Sequence, residues 1–445
     1  MDKKKKNEFF KRLLALSIPI MLQELLNSSV NMVDIVMIGS LGIESVAAVG
    51  LANQIFFLFI LLCFGIISGS GIFIGQFFGK RDMAGVHKVM GICFTFTIAG
   101  ASLFATGAIF FPEFLMQIYS NDENVIRLGV SYLRIIGFSY FFTAISASLN
   151  GALRSIGQTK FPMITTIVAL LISVSLNYVF IFIFDFGVAG AALGTLIARM
   201  VELTLQLFII NKFKLPIATK LKSYFVADKA FIKIFFKTTT PVILNEVVWA
   251  TGVSLYQIAY KFVGMEAQGA MQIASTVQNL FMVIGMAVGT SCGIMLANLL
   301  GAGEHEKAII YSRKCLLLVI VFSMLMGLVL ILLTPFIINF FDVSDSIKDS
   351  LQKIIYVVAL GMTVKTFNYT TVVGILRSGG DTKFCLLLDS GTVWLVGVPS
   401  AFLSAIIFQW PIHLVFAMVY GEEIVKCFLS GQRVWKNRWA RTIVD

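Results

Sequence analysis

Charge is what this chain has least of. Only 13% of its 445 residues are charged, three are histidine and eight are proline, where soluble proteins carry about 25% charge. A water-soluble globular domain is excluded by that scarcity. No GxxxxGK[ST] loop is present, so the chain carries no means of direct drive by ATP. HExxH and GxSxG motifs are absent, Asp-rich motifs are absent, and His87, His305 and His413 are scattered, so nothing points to an enzyme. The six cysteines, Cys63, Cys93, Cys292, Cys315, Cys385 and Cys427, lie in or against apolar segments without metal or disulfide spacing. They read as small buried hydrophobes, and no cofactor is implied.

What is abundant is apolar surface: 58% of the residues, 41 of them phenylalanine, with a mean hydropathy of +0.89. This is the composition of an integral membrane protein. A net charge of +11 would suggest nucleic acid in a soluble chain, but its placement points to a bilayer. With the amino terminus on the cytoplasmic side, 28 of the 35 Lys and Arg fall on that side, as the positive-inside rule requires of a protein with both termini cytoplasmic. The basic leader is not followed by a small-residue cleavage pattern and does not read as a removed signal peptide.

The chain is also written twice. Pro19 to Gly79 lies without a gap on Pro241 to Gly301, with 12 of 61 positions identical, Glu24/Glu246, Gly42/Gly264 and Gly71/Gly293 among them. LNGALRSIGQTKF, from Leu149, lies on VVGILRSGGDTKF, from Val372, with 8 of 13 identical. Self-similarity of this length means tandem halves. About 20 apolar residues cross a bilayer, and that ruler predicts twelve helices. In the first half they lie near residues 13–38, 45–78, 89–111, 125–149, 161–184 and 189–210. In the second half they lie near 238–260, 267–300, 311–340, 350–376, 384–407 and 412–429.

Six crossings per half return the chain to its starting face, so the halves have the same orientation. The expected fold is all-α: twelve transmembrane helices in two parallel six-helix repeats related by a pseudo-twofold along the membrane normal. The expected organisation is an N-terminal lobe over 1–210, a basic cytoplasmic linker over 211–233 and a C-terminal lobe over 234–445. Such a molecule favours secondary transport by alternating access.

An ionisable group at the centre of a spanning helix costs roughly 2.5 to 3.5 kcal/mol and marks function by default. Asp34 sits late in helix one, and Glu24 lies ten residues earlier, about 15 Å deeper and about 80° round the axis. Glu246 occupies in helix seven the place of Glu24 in helix one, whereas Asp34 falls opposite Tyr256. That broken symmetry points to an ion site in the first half. Glu24 and Glu246 have structural alternatives as partners of a helix-end donor or as interface residues. Lys365 is either a counter-ion or a side chain that snorkels to the surface. Asp389, Glu422, Glu423 and Lys426 are expected to pair among themselves. Tyr256 and Gln257 on helix seven, with Gln278 and Asn279 on helix eight, supply the aromatic face and acceptors that an organic cation needs.

These pieces carry a resemblance. SIPIMLQELLNSSVNMVDIVMIG in helix one, LRSIGQTKFP after helix four, GVAGAALGT entering helix six, NEVVWATG in helix seven and LRSGGDTKF after helix ten together resemble the multidrug and toxic compound extrusion family, in its bacterial branch. The resemblance implies a multi-pass protein of the bacterial cytoplasmic membrane. It implies export of cationic or amphipathic organic compounds in exchange for Na+ or H+, with no obligate protein partner and no nucleic acid. By the same resemblance Asp34, Ser173, Asn177 and Thr195 form the cation-coupling set, with Asp34 and Asn177 as ligands of a Na+ ion. Glu246 matches the acidic residue of helix seven found in the branch associated with Na+ and is expected to attract or hold the cationic substrate, and the acidic residue some of that branch carry in helix ten falls near Thr366, so one proposed cation ligand is lacking here. The alternative within the same broad superfamily is a flippase for lipid-linked sugars, which would line its cleft with several Arg or Lys where this chain centres only Lys365.

Overall fold

The computed structural model describes residues 3–226, 228–341 and 343–444, and among them every regular element is helical. Twelve long helices follow in order: α1 (Lys3–Gly39), α2 (Ile43–Gly79), α3 (Met83–Phe110), α4 (Glu123–Ser155), α5 (Lys160–Ile183), α6 (Gly187–Lys212), α7 (Lys229–Val263), α8 (Met265–Gly301), α9 (His305–Phe340), α10 (Asp345–Tyr369, continued by wider turns over Thr370–Leu376), α11 (Thr382–Ile407) and α12 (Ile412–Trp435). Ten of them are apolar and long enough to cross a bilayer. The other two, α10 and α12, carry Lys365 and the Glu422, Glu423, Lys426 group, whose partners are given below.

The repeat is visible in the turns. Gly42 and Gly264, identical positions of the two halves, precede α2 and α8 with φ of 104° and 137°, a region L side chains rarely enter. Elsewhere side chains start the helices: Asp82 accepts from the Gly85 N–H at 2.9 Å ahead of α3, and Asp122 accepts from the N–H groups of Asn124 and Val125 ahead of α4. Each satisfies donors that the first turn leaves free. The regular ladder loosens into π-type turns at Val179–Ile183, Thr370–Leu376, Val393–Gly397 and Leu403–Ile407. Between the last two sits Pro399, which has no N–H to give.

The first helix of the second half begins earlier than hydropathy suggests. Expected near Thr238, α7 starts at Lys229. Lys229, Lys233 and Lys237 recur every four residues and are all exposed, so they form one stripe of a helix. The other face sets Phe231 and Phe235 against Phe73, with ring centroids 6.0 and 5.6 Å apart.

Two compact units result. One comprises Leu22–Thr239, and the other Met1–Met21 with Thr240–Asp445; they are called the N-unit and the C-unit below. The chain passes from one to the other inside α1 and α7, close to the repeated Pro19 and Pro241. The N-unit core joins α2, α3, α4 and α6 through Phe59, Leu133, Tyr140 and Ala192. In the C-unit, one cluster gathers Tyr260, Ile354, Val358 and Val415, and a second places Phe9, Leu13 and Leu16 of α1 with Met295, Ile375 and Trp439. The opening of α1 is therefore a core element of the C-unit, which its position in the sequence does not suggest.

Candidate functional site

In the N-unit, Asn177 of α5 donates from Nδ2 to Asp34 Oδ1 of α1 at 2.9 Å. Asn177 is 2% exposed, and its amide oxygen is buried with no hydrogen-bond partner among the described residues. Such an orphan acceptor in an apolar interior costs about 1 to 3 kcal/mol. Room for the amide comes from Gly194 of α6, where an added β-carbon would overlap Asn177 Oδ1. Ser173, one turn before Asn177, is buried, and Thr195, next to Gly194, is half-buried. Neither hydrogen-bonds to Asp34 among the described residues. Of the four expected coupling residues, the fold thus joins Asp34 to Asn177 directly and leaves Ser173 and Thr195 on the two helices that flank that bond.

Arg199 links this pair to a longer polar chain. Its field reaches Asp34, and its Nη1 lies 2.8 Å from Glu202 Oε2. Glu202 is 2% exposed and accepts from Thr166 Oγ1 at 3.1 Å. Gln23 Nε2 donates to Thr166 Oγ1 at 2.7 Å, and Arg154 donates to Gln23 Oε1 at 2.6 Å and to Glu24 Oε1 at 3.2 Å. Three carboxylates, Asp34, Glu24 and Glu202, therefore share two guanidinium groups. Of these three, the carboxylate without its own ion pair among the described residues is Asp34.

The C-unit repeats part of this wiring. Arg377 Nη2 lies 2.8 Å from Glu246 Oε1, with side chains 3% and 12% exposed. This pair is the counterpart of Arg154 and Glu24, position for position in the repeat. The Glu246 carboxylate, expected to hold substrate, is thus engaged by a buried arginine of its own unit. Arg154 and Arg377 hold these two carboxylates, a partnership that their place in basic turns conceals. The available signal was the LRS tripeptide, which is repeated along with the two glutamates.

Further along the C-unit, Lys426 Nζ lies 2.6 Å from Asp389 Oδ1, 3.6 Å from Glu422 Oε1 and 3.8 Å from Glu423 Oε2. Asn245 Nδ2 donates to Asp389 Oδ2 at 3.0 Å, Tyr256 OH donates to Glu422 Oε2, and Asn368 Nδ2 donates to Glu423 Oε2 at 2.7 Å. Gly397 makes space for the tyrosine, since a β-carbon there would overlap both Tyr256 OH and Glu422 Oε2. Gln278 Nε2 donates to Tyr420 OH at 2.6 Å. Of the residues expected to bind substrate, Tyr256 and Gln278 are buried partners of α12, whereas Gln257 and Asn279 are exposed and make no hydrogen bond among the described residues. The four acidic and basic residues of α11 and α12 do pair among themselves, as their clustering suggested. The structure brings no histidine, cysteine, aspartate or glutamate group of three into metal-ligating range among the described residues.

Comparison with known proteins follows the same division of the chain. The model of the MatE family matches residues 19–179 and 241–403, segments that begin at the two repeated prolines. The chain is 27% identical over 465 aligned positions to a protein of Bacillus subtilis named Probable multidrug resistance protein YoeA, covering 100% of this chain and 98% of that one. It is 23% identical to the Probable multidrug resistance protein NorM of Thermotoga maritima, covering 98% and 96%. Among solved structures, a mutant of the Vibrio cholerae MATE transporter VcmN superposes with a TM-score of 0.91 at 18% identity over 99% of both chains. A MATE crystallised in a bent conformation superposes with a TM-score of 0.87 at 18% identity over 97% and 96%. At such identities the superpositions establish the fold alone.

Proposed function

The chain belongs to the MatE family of membrane transporters, and on that premise we propose that it is a secondary antiporter exporting cationic or amphipathic organic compounds in exchange for Na+ or H+ by alternating access. It is a multi-pass membrane protein. Its place is the bacterial cytoplasmic membrane, with both termini on the cytoplasmic side, because most of the Lys and Arg fall on that side of the predicted topology. Relatives named for multidrug resistance over their full length support drug-like substrates.

One observation carries the coupling step. Of the three carboxylates in this polar chain, Asp34 alone has no ion pair among the described residues, and the Asn177 held against it has a buried oxygen with no hydrogen-bond partner among them. A hard alkali cation prefers oxygen ligands, and these two side chains offer a charged one and a neutral one. Ser173 and Thr195 stand on the flanking helices as the remaining oxygen donors. A proton on Asp34 answers the same charge imbalance, so the site accommodates either ion. Occupancy of the carboxylate by an ion is mutually exclusive with its availability to an organic cation, and that exclusion is what exchange requires.

On the substrate side we assign the exposed Gln257 and Asn279 to the path along α7 and α8, with Tyr256 and Gln278, buried against α12, supporting it from behind. Glu246, neutralised by Arg377, contributes position more than charge. Everted membrane vesicles given an organic cation dye test the proposal. Dye accumulation driven by an imposed Na+ or proton gradient supports it, and the gradient that works at fixed pH identifies the ion. Vesicles containing the protein that accumulate dye under neither gradient contradict it.

A further inference from the structure

The segment between α6 and α7 crosses no membrane, yet it leaves hydrocarbon uncovered. Residues 211–237 carry seven lysines and a single acidic residue, Asp228, whose carboxylate accepts from the Phe231 N–H at 2.6 Å as α7 begins. Leu221, Phe225 and Val226 are 73%, 61% and 65% exposed. Lys220 and Lys222 stand on either side of Leu221 and are exposed as well. On a spanning helix, exposed apolar side chains face lipid tails. In a connecting segment a cluster of them faces either water or a partner surface, and a cluster marks the second.

The inner side of the segment is fastened to α3, within the N-unit. The Tyr224 ring stands edge-on to His87 and Phe94, with centroids 5.8 and 5.4 Å away, and its hydroxyl donates to the Ile217 carbonyl at 2.7 Å. His87 Nε2 meets the Pro216 carbonyl at 3.1 Å. Gly91 admits the backbone itself, since a β-carbon there would overlap the Tyr224 carbonyl. That contact fixes how deep the segment lies. With 28 residues, α3 is about 42 Å long, so when centred on a hydrocarbon core of about 30 Å it projects about 6 Å at each end. Gly91 is eight residues past Met83, about 12 Å along the helix and hence about 6 Å inside the hydrocarbon boundary. Tyr224 beside it occupies the level at which interfacial segments bury their apolar faces. Lys229 and Lys233 sit nearer the helix ends: Phe231 between them packs on Phe77 of α2, and Lys88 Nζ lies 5.2 Å from its ring centroid.

We infer that residues 220–226 and the start of α7 form an interfacial anchor for anionic phospholipid. Leu221, Phe225 and Val226 enter the acyl boundary, and the ammonium groups of Lys220, Lys222, Lys229 and Lys233 meet headgroup phosphates of the leaflet that the proposed topology makes cytoplasmic. Charge and hydrocarbon together select this occupant. A neutral lipid surface would cover the apolar side chains and leave four like charges unanswered, whereas a soluble anion would answer the charges and leave the apolar side chains in water. Juxtamembrane clusters of this many basic residues are retained by anionic leaflets. The connection between the two halves is then held at the membrane surface instead of running free through water.

The test places the purified full-length protein in lipid nanodiscs of phosphatidylcholine alone, or of phosphatidylcholine and phosphatidylglycerol in equal parts. Amide hydrogen exchange over residues 220–226 is followed by mass spectrometry. Neither an organic substrate nor an ion gradient is involved, so the outcome stands apart from the antiport proposal. The wild type is expected to exchange there at least about tenfold more slowly in the anionic discs, each lysine adding to retention, and high salt is expected to narrow the difference by screening. Lys220→Gln, Lys222→Gln, Lys229→Gln and Lys233→Gln combined are expected to abolish the difference while exchange in α4 stays as in the wild type. Leu221→Ser with Phe225→Ser keeps every charge and is expected to exchange faster than the wild type in the anionic discs. Wild-type exchange that is equal in the two discs overturns the inference, as does protection kept in full by the four-Gln variant. Equal protection in neutral discs on adding inorganic phosphate overturns it too, because the occupant would then be a free anion.

Discussion

Arg377 closes on Glu246 at 2.8 Å inside the C-unit, and the two residues come from helices 131 positions apart in the chain. Their repeat counterparts, Arg154 and Glu24, lie 3.2 Å apart with side chains 25% and 42% exposed. One internal duplication has therefore produced a dry ion pair in one unit and a wetter one in the other. Removing one partner of a buried pair leaves an uncompensated charge and costs about 3 to 5 kcal/mol, whereas an exposed pair is worth about 0 to 1 kcal/mol. Arg377→Gln should accordingly lower the melting temperature far more than Arg154→Gln. Thermal unfolding of the two variants in the same detergent checks this, and equal losses would contradict the assigned difference in burial.

The hydrogen bond from Asn177 to Asp34 sets how firmly the carboxylate is placed. Bonds to charged groups contribute about 1.5 to 3 kcal/mol, and about 1.4 kcal/mol is a factor of ten in affinity. Asn177→Ala is expected to raise the half-saturating concentration of the driving ion at least about tenfold, with the protein still folded. Transport titrated against that ion in vesicles measures the shift.

Gly194 reaches the same bond from the opposite side. A methyl group at this position would meet the Asn177 amide oxygen, so Gly194→Ala should reproduce the Asn177→Ala defect in ion dependence without altering any polar group. Gly194→Ala in an Asn177→Ala background should add little, because the clash has lost its partner. Additive defects in that double variant would separate the two residues.

Tyr256 donates to Glu422 in the interior of the C-unit. Tyr256→Phe keeps the ring and deletes the donor, leaving the carboxylate to Lys426 alone at 3.6 Å. A stability loss of about 1 to 3 kcal/mol follows from the unmade bond, read as a lower melting temperature. Tyr256→Phe that melts like the parent protein would show that the hydroxyl supports nothing there.

Much of this architecture was legible before any coordinates. The duplication, most of the twelve helices and the asymmetry between Asp34 and Tyr256 are properties of local composition and of one alignment of the chain on itself, although α10 and α12, with their buried charges, fall short of the other ten in hydropathy. Partnerships were less legible. That Glu24 meets Arg154, that Glu246 meets Arg377 and that Thr166 stands between Gln23 and Glu202 depends on how helices pack, which no local pattern encodes. Glu202 is distinguished from the other charges of α6 only by its contacts, with Thr166 of α5 and Arg199. The start of α7 was hidden for a different reason: its lysines lower the mean hydropathy of a segment whose opposite face is phenylalanine. The assignment of α1's first turns to the C-unit lies beyond sequence reading altogether, since chain order places them in the other half.

The account stands most directly on Asp34. Wild-type and Asp34→Asn proteins, present at equal amounts in everted vesicles, should be compared for organic cation uptake under the gradient that drives the wild type. The account predicts that Asp34→Asn abolishes gradient-driven uptake while the purified variant melts as the wild type does in choline chloride. Uptake by Asp34→Asn at the wild-type rate would contradict it.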